Sequence, residues 1–239
     1  MNPKLAHDVL VAVFTVAAAF ILVRQCRKPV WWPGQLFLQI MNVSHSGVTS
    51  WGLTHVSIEK DFTILDVGCG GGKTIDSLVR MAHGGRVCGV DYSSASVAAS
   101  RRFNAQWIEA GRVDIQRGLV SSLPFPSATF DLVTAVETHY YWPDLASDFR
   151  EILRVLKPGR QFVVIAEAYK GERFDWLYQP AMKLLKATYL DVPEHRELFS
   201  RAGFCGVEVF EERARGWICA VGRKPGEGRA TATDDCVTS

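Results

Sequence analysis

The residues most able to do chemistry are gathered around one glycine-rich stretch, Ile64-Leu65-Asp66-Val67-Gly68-Cys69-Gly70-Gly71-Gly72-Lys73-Thr74. An apolar run enters it and a helix-compatible run leaves it. Glycines at 68, 70 and 72 let a ligand approach the backbone where a Cβ would collide. A second acidic residue, Asp91, ends the next apolar run, Val87-Cys88-Gly89-Val90, where a carboxylate can accept both hydroxyls of a ribose. A dinucleotide site wants G-x-G-x-x-G/A to close around a pyrophosphate, but counting from Gly68 the last position is Lys73. The spacing is instead D-x-G-x-G-x-G. A carboxylate two residues before the first glycine, Asp66, suits a cofactor with a cationic amino-acid moiety and not a diphosphate.

A second group of reactive side chains follows at Glu137-Thr138-His139-Tyr140-Tyr141-Trp142-Pro143-Asp144. Glu137 and His139 are its acid/base candidates. For His139 the competing reading is a partly buried imidazole bonded to backbone. Tyr140, Tyr141 and Trp142 can wall an apolar pocket or simply fill core. Further aromatics lie at Tyr169, Phe174, Trp176, Tyr178 and Tyr189. The polar, glycine-bearing stretch from Asn42 to Gly52 is expected as a lid or cover over the cofactor, the alternative being a plain connecting loop. Its Ser44-His45-Ser46 triplet is no hydrolase signature, because the chain has no G-x-S-x-G elbow. The six cysteines form neither a C-x-x-C pair nor a His/Cys cluster, so no metal site is signalled.

These residues need a scaffold, and the pattern past Lys60 supplies one: short β-branched runs alternating with helical stretches, the mark of βαβ units. Strands are predicted at Thr63 to Val67, Arg86 to Asp91, Val113 to Gln116, Phe130 to Val136, Gln161 to Glu167, Val207 to Phe210 and Trp217 to Gly222. Helices are predicted at Lys73 to Met81, Ser94 to Ala110 and Leu145 to Leu156, with one or two more within Phe174 to Ala202. The helix before Gln161 is expected to stop at Lys157-Pro158-Gly159. Both reactive groups then fall at the carboxyl end of a parallel sheet, where open α/β folds bind ligands.

The 239 residues carry 27 basic and 25 acidic side chains, without a basic run in the folded part. That excludes nucleic acid as the main partner, since phosphate binding needs a concentrated basic face. Residues Val9 to Val23 form an uncharged apolar run that, extended back to Leu5, spans roughly 28 Å as a helix, close to a bilayer's hydrocarbon thickness. Arg24, Arg27 and Lys28 follow it. The expectation is a membrane anchor over residues 1–28 with the catalytic part facing the cytosol, then a cover or interfacial segment over 29–60 bearing Trp31 and Trp32, and a disordered tail over 225–239.

The glycine-rich turn with its two carboxylates resembles the class I S-adenosylmethionine (SAM)-dependent methyltransferases, in particular the broad group that includes the ubiquinone and menaquinone biosynthesis enzymes. The resemblance covers roughly Ile58 to Gly222 and takes in Ser121-Ser122-Leu123-Pro124-Phe125-Pro126, then Phe130-Asp131-Leu132-Val133, then Leu153-Arg154-Val155-Leu156-Lys157-Pro158-Gly159. It implies an α/β, Rossmann-like, seven-stranded, mostly parallel sheet with helices on both faces, occupying residues 61–224, beside the N-terminal membrane helix. It also implies that Gly68, Cys69, Gly70 and Gly72 pack beside the methionine part of SAM and that Asp66 organises that turn or the amino group. Asp91 would hold the ribose, Tyr92 would line the adenine, and Ala135 to Glu137 would face the sulfonium. Many members carry an Asp after the residue matching Gly118, where this chain has Leu119, so adenine recognition falls to backbone groups near Leu119 and Val120. The activity expected is methyl transfer to a small, lipophilic acceptor, capped by the aromatic region after Glu167. The alternative is a non-catalytic SAM-binding or scaffold protein of the same fold.

Overall fold

The computed structural model describes residues 45–226. Among them, strands and helices alternate to build a seven-stranded sheet in the order β3-β2-β1-β4-β5-β7-β6. The strands are β1 (Thr63–Val67), β2 (Arg86–Asp91), β3 (Val113–Arg117), β4 (Phe130–Val136), β5 (Leu156–Ala166), β6 (Cys205–Glu212) and β7 (Trp217–Arg223). Strands β1 to β5 run parallel, and β7 lies antiparallel to both β5 and β6. The sheet is therefore mixed, a Rossmann-like arrangement closed at one edge by a hairpin. The order reverses between β1 and β4, and the crevice at such a switch point is where an open α/β sheet takes its ligand.

The helices are α1 (Ser46–Leu53), α2 (Lys73–Met81), α3 (Ser94–Phe103), α4 (Ala105–Glu109), α5 (Leu145–Val155), α6 (Asp175–Leu185) and α7 (Val192–Ala202). Helix α2 shows how the sequence dictates them: Ile75, Leu78 and Val79 recur at helical spacing and are buried, while Arg80 on the other face pairs with Asp76 at 3.0 Å. Helix α7 opens with Asp191 accepting from the Glu194 backbone while the Glu194 carboxylate accepts from the Asp191 backbone, so two free N–H groups are satisfied at once. Two large apolar clusters cover the sheet. One gathers Ile64, Ile75, Leu78, Val87, Ile115 and Ile165. The other is built on edge-to-face aromatic rings: Phe149 lies 5.0 Å from both Phe162 and Phe199 at 79°.

Three sequence expectations change. The stretch up to Gly52, expected as a lid or a loop, contains α1, whose Val48, Thr49, Gly52 and Leu53 are buried; a Cβ at Gly52 would come within 2.6 Å of Ile165, so close packing on the sheet, not propensity, makes this helix. The predicted helix from Ser94 to Ala110 breaks at Asn104, whose side-chain amide donates to Ser100 O and Gly72 O, both at 3.0 Å. No turn separates α5 from β5, because Leu156 is already extended and pairs with Phe130. Pro158 and Gly159 sit inside the strand, beside a register shift between Phe130 and Leu132, where an interrupted ladder tolerates a missing N–H. Among the described residues no helix is long and apolar enough to cross a membrane. The apolar run Val9 to Val23, the Trp31-Trp32 segment and nearly all of the 225–239 tail lie outside the described residues.

Candidate active site

Strand β1 delivers Asp66 in an almost wholly buried position, where its carboxylate accepts a 2.7 Å hydrogen bond from the Thr134 hydroxyl of β4. Burial pushes its pKa up to about 7, against the Thr134 bond and with the nearby Asp91 charge. The chain then turns sharply. Gly68 and Cys69 both donate backbone N–H to Val90 O, at 2.7 and 3.1 Å, which lashes the turn to β2. Gly68 has φ +77° and a Cβ there would lie 2.0 Å from Thr138 Oγ1. Gly72, at φ +85°, caps α2 and would collide with Ser100 and Asn104. Gly70 differs: a Cβ on it would meet nothing closer than Gly68 O at 3.9 Å. That side of the turn is open. Cys69 is buried, with its thiol pushed well above the ordinary range by burial, so it packs against Gly89 and Ile75 and offers no thiolate.

Asp91 closes the other side. One carboxylate oxygen accepts from Gly70 N at 3.0 Å and the other from Ser93 N at 2.8 Å. Burial raises its pKa against those two bonds. Tyr92 is partly exposed, and its carbonyl accepts from Arg117 at 3.0 Å. Leu119 is exposed and Val120 half-buried; Leu119 bridges to Ser122 in a short turn. Asp66, Gly68, Gly70, Gly72, Asp91, Tyr92, Leu119 and Val120 thus all lie at the carboxyl ends of β1, β2 and β3.

At the end of β4, Glu137 has φ +55°, a conformation that costs a non-glycine residue about 1 kcal/mol or more. Two bonds hold it: its N–H donates to Ile165 O at 3.0 Å, and its carboxylate accepts from the Glu167 backbone. Burial and the neighbouring Glu167 push its pKa up to about 8. His139, two residues on, is 0% exposed. Neither ring nitrogen has a hydrogen-bond partner, the buried His195 ring lies 5.5 Å away, and desolvation holds its pKa well below the ordinary value. The structure thus brings Glu137 and the cofactor turn together through Thr138 and encloses His139 in the interior. Tyr140 is buried, with its hydroxyl donating to Ala168 O and accepting from Ala168 N, both at 3.1 Å.

Sequence reasoning missed three groups. Thr134 holds Asp66, Glu167 supports Glu137, and Glu172 is buried beneath the β6–β7 turn close to Gly216. Thr134 lay inside a buried strand and gave no signal, while the acidic spacing Glu167, Glu172 and Asp175 stood in plain view among the aromatics.

The fold is that of a Rossmann-like protein whose glycine turn, flanked by the buried carboxylates of Asp66 and Asp91, lies at the switch point of the sheet. The family described as a methyltransferase domain matches residues 65–164. A demethylmenaquinone methyltransferase of Symbiobacterium thermophilum is 32% identical, the alignment covering 59% of this chain and 67% of that relative. A sterol 24-C-methyltransferase of Aspergillus fumigatus is 29% identical over 60% of this chain and 34% of its own. Geranyl diphosphate C-methyltransferase from Streptomyces coelicolor shares the fold with a TM-score of 0.65 at 16% identity, covering 84% of this chain and 87% of that one. The chain belongs to the class I SAM-dependent methyltransferases. It spans less than two fifths of the length of the first curated relatives it matches.

The residues present fit that family's cofactor, SAM. The open face at Gly70 is where a Cβ would intrude on a ligand, Asp91 stands beside it with a carboxylate already committed to the turn, and the buried Asp66 has no cationic partner among the described residues. A charged amino group is the natural complement to such a carboxylate.

Proposed function

We propose that this protein transfers a methyl group from SAM to a small lipophilic acceptor while tethered to a membrane by residues 1–28, its catalytic domain facing the cytosol. One observation carries the catalytic part: the strained Glu137 ends β4 next to Thr138, which lies against the glycine turn at Gly68. Bound SAM supplies a methyl group already activated on a sulfonium, so the protein's task is to position and desolvate the nucleophile. In this reading Asp66 meets the cofactor's amino end, Asp91 its ribose, and Tyr92 with the backbone at Leu119 and Val120 its adenine. Glu137 lies nearest the reacting centre. With a pKa near neutrality it takes or holds a proton at the acceptor atom. His139 contributes packing, since no nitrogen of an enclosed, unpartnered ring reaches a ligand.

Helix α6 supports the lipophilic and membrane parts. Trp176, Leu177 and Leu184 stand 75%, 54% and 58% exposed on it, and exposed Lys170, Arg173, Lys183 and Lys186 surround them. Apolar side chains rimmed by basic ones suit an anionic lipid surface. The ring of His45 lies 3.7 Å from Glu167, at the end of β5 from which the chain runs on to α6. Incubating the protein with labelled SAM and a total lipid and metabolite extract tests the activity; no transferred label together with no SAM binding would sink it, and SAM binding without transfer would favour the scaffold alternative. Acceptors matched except for alkyl length test the class, each methylene that enters an apolar pocket improving binding by about 0.8 kcal/mol. Deleting residues 1–28 should release the protein from membranes while SAM still binds.

A further inference from the structure

Helix α6 has two apolar faces, and the fold uses one of them. Met182 is buried and packs with Tyr178 into the cluster that contains Tyr140 and Tyr169. Trp176, Pro180 and Leu184, spaced four residues apart, fall on the opposite side of the helix with Leu177 beside them. All four are exposed. Charge on this segment is sorted in the same way. The acids turn inward: Glu172 lies under the β6–β7 turn against Gly216, and Asp175 is half-buried against the Tyr189 hydroxyl. The bases turn outward, with Arg173, Lys183 and Lys186 exposed. Because Gly216 lies close to Glu172 and Phe174, the exposed Arg213 and Arg215 of the β6–β7 turn stand near the start of the same helix. Glu194 offsets Lys170 at 3.4 Å and Glu211 offsets Arg213 at 3.2 Å. Among the described residues, Arg173, Lys183, Lys186 and Arg215 have no such acid.

An outward apolar stripe with basic edges restricts what can cover it. A second copy of this chain, meeting it across a two-fold axis, would bring the same bases face to face. A globular partner needs roughly 800 Å² on each side, whereas an 11-residue helix is a convex ridge about 16 Å long. A bilayer accepts a ridge of that size: the apolar side chains enter the headgroup boundary, and anionic headgroups neutralise the bases at its edges. The Trp176 indole, apolar with one wet N–H, suits that depth.

We propose that the outer face of α6, together with the β6–β7 turn, docks on the anionic surface of a bilayer as a contact separate from residues 1–28, and so turns the Tyr140–Tyr169 side of the site toward the lipid. This rests on the membrane reading above and adds an orientation to it. Held at the surface by the anchor, α6 meets lipid in an intramolecular step at high effective concentration. The face therefore orients the domain without having to retain it on a membrane alone. Its inner side roofs the aromatic cluster while its outer side touches the bilayer, which places one helix between the lipid and the acceptor.

The test is hydrogen exchange, read by mass spectrometry, on the full chain in nanodiscs of phosphatidylcholine with and without about one third phosphatidylserine. Residues 173–186 should exchange about threefold slower or more in the anionic discs, because docking must be undone before the helix opens. Helix α2, on the cofactor side, should exchange alike in both. Lys183→Glu combined with Lys186→Glu should erase the difference; if that variant fails to fold, Trp176→Ser combined with Leu184→Ser is read in its place. Equal exchange in the two discs, as a second copy or another part of the chain covering α6 would give, overturns the docking face. So does a difference that survives the substitutions. A full chain that enters neither disc overturns the anchor over residues 1–28 instead, and the same comparison against an excess of anionic or neutral vesicles then decides α6.

Discussion

The two halves of the site are built by different physics. The cofactor half is backbone: Gly68, Cys69 and Gly70 are tied by N–H bonds to Val90 O and Asp91, and the strands beneath are buried over the residues that lead into the turn. The acceptor half is side chain: a small cluster of Tyr140, Tyr169, Ala168 and Met182, held by tyrosine hydroxyls on Ala168, Tyr169 O and Glu211, with α6 laid over it. Backbone geometry can bind the same cofactor under many sequences. Side-chain geometry changes with each substitution, which is where one fold acquires different acceptors.

The sharpest way to break this division is at Asp91. Its two charged hydrogen bonds are worth about 1.5 to 3 kcal/mol each, so Asp91→Ala should weaken SAM binding on the order of 100-fold, and Gly70→Val should do the same by filling the open face. Isothermal titration reads both, and parent-like SAM affinity in either variant would overturn the cofactor assignment.

The converse variant is Tyr140→Phe. It leaves the N–H and C=O of buried Ala168 unpaired, a cost of about 1 to 3 kcal/mol, and should lower the thermal midpoint and raise the acceptor KM while the SAM dissociation constant holds. A shift in SAM affinity of the same size would contradict the division.

A smaller effect sharpens the cofactor half alone. With Asp66 near pKa 7 in the ligand-free protein, the cationic cofactor must wait for the carboxylate to ionise. SAM affinity should therefore rise about tenfold from pH 6 to pH 8 as the ionised fraction grows, and Asp66→Asn should flatten the profile. In stability terms the sign is opposite: a folded pKa raised above 3.8 contributes stability at low pH that is lost as pH rises toward 7, so cofactor-free protein should soften over that range.

The smallest expected effect concerns His139, whose depressed pKa means that the unfolded chain takes a proton below pH 6.5 and the folded one does not. Stability should fall by about 1 kcal/mol from pH 6.5 to 5.5 on this account. His139→Phe should remove that share of the acid loss, seen as a shallower fall in the thermal midpoint; an unchanged slope would place the titrating group elsewhere.

The same division decided what could be read from the chain. Strands β1, β2 and β4 and helix α2 fall where predicted to the residue, because an unbroken apolar run or a clean helical stripe states its own burial. The glycine turn was legible for the same reason: φ above zero needs glycine, and the glycines are written in the sequence. Helix α1 was not, since Gly47, Thr49 and Gly52 are poor helix formers and only contact with Ile165 and Trp217 makes the helix. Nor was the extension of β5 through Pro158, which depends on what Phe130 does across the sheet. Glu172 could be seen as a residue, but its burial under the β6–β7 turn is a statement about everything around it, which one chain read in order does not contain.

The contact between Gly68 and Thr138 has a consequence on a longer time scale. A side chain at 68 would strike the first residue beyond Glu137, so the loop that grips the cofactor and the loop that leads to the acceptor touch with no slack between them. Descendants of this gene can redesign the acceptor pocket by changing residues beyond Thr138, but a bulkier side chain at 138 itself presses on the cofactor turn. Lineages that acquire new acceptors should accordingly keep position 138 small and vary most past it, in the segment from Glu172 to Tyr189, where nothing on the cofactor side resists.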